Sequence, residues 1–210
     1  MSAAQQSDGL ANWATGLMEA LGAPGAGLAI ALENLFPPLP SEVILPLAGF
    51  AAGRGDISLF GALLWTTIGS VAGAFLLYWA GALLGRERTL AIAGRIPLLK
   101  PSDIERTEAW FSRHGTKAVF LGRMVPVFRS LISIPAGVER MPATTFLTLT
   151  ALGSLLWNTL FVLTGYALGE NWHAVSDYVS MYSKAVVAVI VAAVVAFVAV
   201  RTVRYRRGDR

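Results

Sequence analysis

Apolar residues in this chain gather into long uncharged stretches, separated by segments that hold most of the charge. From Ile57 to Gly85 no residue is charged. At about 1.5 Å of rise per helical residue such a stretch can cross a hydrocarbon core of about 30 Å. The pattern predicts a crossing helix over 57–85 and a second over 142–169, opened by Pro142 and closed by Gly169. A third is expected over 182–201, a Val/Ala run flanked by Lys184 and Arg201, whose long side chains can reach the interfaces.

Two other apolar stretches are interrupted. Residues 34–53 contain Pro37, Pro38, Pro40 and Pro46 as well as Glu42, too many breaks for one straight spanning helix. Residues 118–140 contain Pro126 and Pro135, and Ala136-Gly137 closes them much as Ala48-Gly49 closes the first stretch. Broken backbone at membrane depth is tolerated only where it is buried in protein or lines a wet cavity. Both stretches are therefore expected to be re-entrant helical hairpins, shaped by Pro40, Pro46, Gly122, Pro126, Pro135 and Gly137.

A repeat supports this plan: Gly69-Ser70, Leu76, Gly81 and Leu84-Gly85 recur 84 residues on as Gly153-Ser154, Leu160, Gly165 and Leu168-Gly169. One hairpin plus one crossing helix per unit inverts the second unit relative to the first, the plan of secondary transporters with a midplane site. The expected fold is an all-α polytopic membrane protein with two opposed re-entrant helical hairpins and transmembrane helices in an inverted repeat. It forms a single domain over 1–205, with a basic tail at 202–210. Residues 13–32 hold Glu19, Pro24 and four glycines, and fit a first span, an interfacial helix or part of the first hairpin.

Composition agrees: 55% of the 210 residues are hydrophobic and 14% charged, with a mean hydropathy of +0.58. Cysteine is absent, which excludes disulfides, thiolate catalysis and iron–sulfur clusters. The net charge of +4 does not indicate nucleic acid, because the bases flank apolar runs. They concentrate in the loop 86–117 and the C-terminal tail, both assigned to the cytoplasm by the positive-inside rule. The acidic connection 170–183 then faces outward. Within the loop, Pro101 and Ser102-Asp-Ile-Glu105 form a capping-box pattern that predicts an amphipathic interfacial helix carrying Ile104, Trp110 and Phe111. The first basic residue is Arg54, so the N-terminus lacks the positive region of a cleavable secretory signal and is expected to be mature protein.

Candidate chemistry sits in Gly122-Arg123-Met124-Val125-Pro126-Val127-Phe128-Arg129, two arginines within an apolar run. Ionisable groups at membrane depth are costly and mark a partner, a substrate path or water. On a continuous helix six residues would set the arginines about 240° apart, and a break at Pro126 can turn both into one cavity. Guanidinium stays charged and its planar donors bind two phosphate oxygens together. Glu33 and Glu42 are the facing counter-charges, candidates to carry a coupling proton or cation. The competing reading is that the four residues are ion pairs that fasten the hairpins. Gly69-x-x-x-Gly73 and Gly81-x-x-x-Gly85 suit close helix contact within the fold, with a homodimer as the alternative use. Asn158 and Ser154 suit interhelical hydrogen bonds, and Arg54-Gly55-Asp56 suits a tight turn. His114 and His173 fall on opposite expected sides, so no metal site is expected, nor any cofactor. No nucleophile, base and oxyanion donors assemble into a set, so an enzyme is not expected; a lipid phosphatase and a membrane scaffold are the other classes.

The pattern Gly122-Arg123-x-x-Pro126-x-x-Arg129, followed by Pro135-Ala136-Gly137 and Met141, resembles the signature of the DedA family, related to the VTT-domain lipid scramblases of eukaryotes. Glu33-Asn34 and Pro40-Ser41-Glu42 resemble the acidic positions of that family's first hairpin, with Glu42 where many members carry aspartate. The resemblance spans residues 28–205 and implies translocation of a lipid phosphate, notably undecaprenyl phosphate, across the bacterial cytoplasmic membrane, driven by a proton or sodium gradient. It also leaves open a phospholipid such as phosphatidylethanolamine, a passive scramblase, or an ion-coupled transporter of a small solute.

Overall fold

The computed structural model describes residues 3–36, 41–93, 101–126 and 128–169, with isolated positions beyond 180. The expected span 182–201, the tail 202–210, and Pro37, Pro38 and Pro40 lie outside these stretches. Among the described residues all regular structure is helical: α1 Ala3–Leu21, α2 Ala23–Leu35, α3 Ser41–Gly53, α4 Leu59–Ala93, α5 Pro101–Gly122, α6 Phe128–Leu131, α7 Ser133–Val138 and α8 Ala143–Leu168.

Helices α4 and α8 are each long and apolar enough to cross a membrane. They are also inside out relative to a soluble core. On α4, Phe60, Leu64, Trp65, Ile68, Phe75, Leu76, Trp79 and Leu83 point outward, while Thr66 and Ser70 are buried. On α8, Leu152, Leu155, Leu156, Leu160 and Leu163 point outward, and Thr150, Ser154 and Asn158 are buried. Apolar patches of this extent need an apolar solvent. The buried polar groups then hold helix to helix, as where Asn158 Nδ2 donates to Ser70 Oγ at 3.2 Å. α4 breaks at Gly85, whose φ of 66° and ψ of 173° suit a residue without Cβ, where the uncharged stretch meets Arg86.

In lipid, apolar burial gives helices little reason to associate, and close backbone approach does much of the work. Five glycines provide it reciprocally. A Cβ on Gly49 of α3 would strike the backbone of Val162 and Tyr166 on α8, and one on Gly137 of α7 would strike Tyr78 and Ala82 on α4. From the other side, Gly165 of α8 meets the Pro46 carbonyl of α3, Gly81 of α4 meets that of Ile134 on α7, and Gly69 of α4 meets Gly27 on α2. Positions correspond: 84 residues separate Val162 from Tyr78, Tyr166 from Ala82 and Gly165 from Gly81, and 88 separate Gly137 from Gly49 and Ile134 from Pro46. Each broken segment thus seats its second arm on the long helix of the other half of the chain. The glycines of both small-residue motifs, Gly85 excepted, pack within the chain.

Several local features differ from the sequence reading. Pro46 does not interrupt its segment; it lies inside α3, where its missing N–H leaves the Glu42 carbonyl without its helical donor. α2 starts at Ala23 with Pro24 in its first turn, where proline is compatible with a helix, and runs through Asn34, so no helix boundary falls at 34. α5 runs without interruption through Lys117 and Ala118, the position expected to divide loop from hairpin, and ends at Gly122. On α5, Phe111 turns inward and Trp110 outward, so the two do not share one buried face. A Cβ on Gly122 would be 3.5 Å from the Ile132 side chain, an ordinary contact, so steric need does not explain that glycine.

Two apolar clusters flank the centre. One joins α1, α2 and α3 to Trp157, Phe161 and Val162 of α8; the other joins Ala74 and Tyr78 of α4 to Phe111, Val119, Ala136 and Phe146. The backbone break after α5 spans them, with Met124 packed against the first cluster and Arg123 over the Phe146 ring of the second.

Candidate functional site

Pro126 lies in a turn between α5 and α6 where the chain abandons the regular helical ladder. Arg123, Met124 and Val125 donate their N–H groups to carbonyls three residues back, at 3.3, 3.0 and 3.2 Å. Arg129 resumes an i→i−4 bond, its N–H on the Val125 carbonyl at 3.1 Å. Through this break both arginine side chains turn inward. Arg123 is 2% exposed, Arg129 5%, Glu33 5% and Glu42 5%, so all four expected charges are buried.

The four lie within electrostatic reach of one another. Glu33 interacts with Arg129, Arg123 and Glu42, and Arg123 with Arg129. Their direct partners differ. Arg129 Nη2 donates to Glu33 Oε2 in a buried ion pair that joins α6 to α2. Beside it Ser130 Oγ donates to Asn34 Oδ1 at 3.4 Å, a second link between the same helices. Arg123 has no ion-pair partner among the described residues. Its Nη2 donates to Ser133 Oγ at 2.9 Å and to Thr150 Oγ1 at 3.3 Å, and its guanidinium carbon stands 5.9 Å from the Phe146 ring centroid. Both arginines keep a buried Nε–H without a partner among the described residues. Glu42, in the first turn of α3, makes no hydrogen bond or ion pair among the described residues, and the neighbouring Ser41 hydroxyl is buried and unpaired.

Of the expected shaping residues, Pro126 is buried at the turn, Pro135 lies within α7, and Gly137 carries the contact with α4. Ser133, Thr150, Ser130 and Phe146 were not singled out by the sequence. Thr150 is one of several threonines along α8, and only its place on the buried helical face, with Gly153, Ser154, Trp157 and Asn158, distinguishes it. Arg54-Gly55-Asp56 is a turn, with Gly55 at φ 84° and an exposed ion pair of 3.4 Å between its outer residues. Among the described residues no group of three His, Cys, Asp or Glu side chains could hold a metal ion.

An all-helical fold with an outward apolar surface and two paired charges and hydroxyls at its centre defines an integral membrane protein. The chain belongs to the VTT-domain family, whose profile matches residues 39–167, and with it to the DedA proteins. It is 42% identical over 178 residues, 83% of each chain, to the "Alkaline phosphatase-like protein" of Lactococcus lactis subsp. cremoris. It is 36% identical to Undecaprenyl phosphate transporter A of Bacillus subtilis, covering 87% of this chain and 91% of that one. To Protein DedA of Escherichia coli it is 28% identical, over 63% of this chain and 61% of that protein. No solved structure gives a significant match.

Proposed function

We propose that this protein moves a lipid phosphate, undecaprenyl phosphate above all, across the bacterial cytoplasmic membrane, with Arg123 and Arg129 as phosphate ligands. The observation that carries the reading is a pair of buried guanidiniums whose donors outnumber their acceptors among the described residues: one carboxylate on Arg129, none on Arg123, and an unpaired Nε–H on each. An uncompensated buried cation is expensive, and an arriving phosphate would supply the missing acceptors. The choice of undecaprenyl phosphate rests on the similarity to Undecaprenyl phosphate transporter A of Bacillus subtilis.

Glu33 and Glu42 act as counter-charges in this scheme. Phosphate arriving at the arginines competes with Glu33 for Arg129, and the released carboxylate takes the coupling cation, proton or sodium. The reciprocal seating of α3 on α8 and of α7 on α4 supports two opposed re-entrant hairpins in an inverted repeat, with the site where they meet. The basic loop and tail support a cytoplasmic C-terminus.

The test is movement of undecaprenyl phosphate in proteoliposomes, with and without an imposed pH or sodium gradient, for wild type and Arg129→Ala. Gradient-driven movement lost in the variant supports the proposal; movement indifferent to any gradient makes the protein a passive scramblase. Absence of movement by folded, inserted protein refutes it. A second reading, a lipid phosphatase, is favoured only by the name of the Lactococcus relative. Release of inorganic phosphate from the same lipid by the same preparation decides between them.

A further inference from the structure

Thr150 behaves unlike three other threonines of the long helices, Thr66, Thr148 and Thr164. Thr66, Thr148 and Thr164 each donate their hydroxyl to the carbonyl four residues back, at 2.7, 2.9 and 2.5 Å, which is the usual resting place for a threonine hydroxyl in a membrane helix. Thr150 makes no such bond among the described residues. It turns its oxygen to Arg123 Nη2 at 3.3 Å, fully buried. Ser133, also fully buried, does the same at 2.9 Å from the start of α7. In both contacts the guanidinium donates and the hydroxyl oxygen accepts, so each hydroxyl keeps its own proton to give. No acceptor for either proton is seen among the described residues. Two unspent O–H donors therefore converge on the one buried arginine that has no ion-pair partner there.

We infer that Ser133 and Thr150 are anion ligands in their own right, forming with Arg123 a three-donor cradle for the tetrahedral end of a phosphate monoester, lipid-borne or free. This deepens the proposed function and rests on it. A monoester phosphate offers three terminal oxygens. The planar guanidinium fork can engage two of them, and a third oxygen out of that plane needs donors from another direction. Ser133 on α7 and Thr150 on α8 approach from elements other than the turn that carries Arg123. Arg129 is held by Glu33 until the site fills. Arg123 with its hydroxyls is then the first point of capture, and Arg129 joins when its carboxylate lets go. A planar carboxylate would be satisfied by the fork alone, so the hydroxyls confer preference for phosphate over carboxylate.

The experiment is equilibrium binding to the purified full chain in nanodiscs, with geranylgeranyl phosphate and the chain-matched carboxylate, geranylgeranoic acid, as probes. Ser133→Ala and Thr150→Val are each expected to weaken the phosphate probe about tenfold, the scale of one hydrogen bond to a charged group, and the carboxylate less than about twofold. Thr150→Ser, which keeps the hydroxyl, should retain the wild-type preference. Hydroxyls that merely prop the arginine would weaken both probes alike, and that result, or unaltered phosphate binding in Thr150→Val and Ser133→Ala, overturns the inference while the proposed function stands. Wild-type protein that binds no phosphate probe overturns both. Displacement of geranylgeranyl phosphate by equimolar inorganic phosphate supports the cradle and assigns it to the free ion. Failure of inorganic phosphate to compete, with the hydroxyl variants weakened, supports it and assigns it to the lipid.

Discussion

Exchanging the charges of Glu33 and Arg129 separates a fastener from a ligand. The two side chains are each 6% exposed and form an ion pair between α2 and α6. Removing one partner leaves the other charge buried and unpaired, a loss of about 3–5 kcal/mol for such pairs, here with almost no solvent to screen it. Glu33→Ala and Arg129→Ala should each lower the midpoint of thermal unfolding in detergent by on the order of 10 °C. The double variant Glu33→Arg with Arg129→Glu keeps the attraction and the sum of charge. It should recover much of that loss, read by the same thermal scan. It also puts a carboxylate where the proposed anion must bind, so phosphate transport in proteoliposomes should fall to background. A swapped protein that still moves lipid phosphate in a gradient-dependent way would refute Arg129 as a phosphate ligand. Single variants as stable as the wild type would refute the buried pair itself.

Other substitutions test other links. Gly137→Ala would drive a methyl into the Tyr78 carbonyl and the Ala82 nitrogen, so folded yield in membranes should collapse; Gly122→Ala, with an ordinary contact to Ile132, should change thermal stability by no more than about 0.5 kcal/mol. Asn158→Ala removes the bond to Ser70 and should cost about 0.6–1.7 kcal/mol in steric-trap or denaturant unfolding, the range for hydrogen bonds between membrane helices. Glu42→Gln keeps the shape of a side chain that has no direct partner among the described residues and should leave thermal stability near wild type while uncoupling transport from a pH gradient; transport that still follows the gradient removes Glu42 from the coupling step.

The two long apolar helices α4 and α8 were legible because they depend on one quantity, the length of chain without charge, and Asp56 to Arg86 declares it. The burial of the candidate site was legible for a related reason: Arg123 and Arg129 in an apolar run are anomalous whatever the fold. The partners were not. That Arg129 pairs with Glu33 rather than Glu42 depends on how α2 meets α6, 96 residues apart in sequence. Pro46 looked like a breaker because proline is disfavoured in helices, yet the seat of α3 on α8, with Gly165 against the Pro46 carbonyl, holds that helix through the lost bond. The 84-residue repeat was visible in α4 and α8, where the glycines that make contact had to stay glycines. The corresponding arms, 88 residues apart, share little beyond Pro-x-Ala-Gly set against Pro-Ala-Gly, and their relation emerges from what they touch.

The two arginines divide the candidate site between the halves of the chain. Every direct partner of Arg123 seen among the described residues, Ser133, Thr150 and Phe146, belongs to the C-terminal half that carries Arg123 itself. Arg129 and its neighbour Ser130 instead reach across to Glu33 and Asn34 on α2. An anion held by Arg123 alone would therefore leave the contact between halves untouched, whereas one that also recruits Arg129 must take it from Glu33. On the proposed function, occupancy and the strength of the joint between halves are then one variable: the phosphate that completes its ligand set loosens the cross-link that kept the halves in register. A substrate with too few oxygens to engage both guanidiniums would bind without loosening that joint. Binding without transport is thus the expected behaviour of the carboxylate analogue, even at saturation.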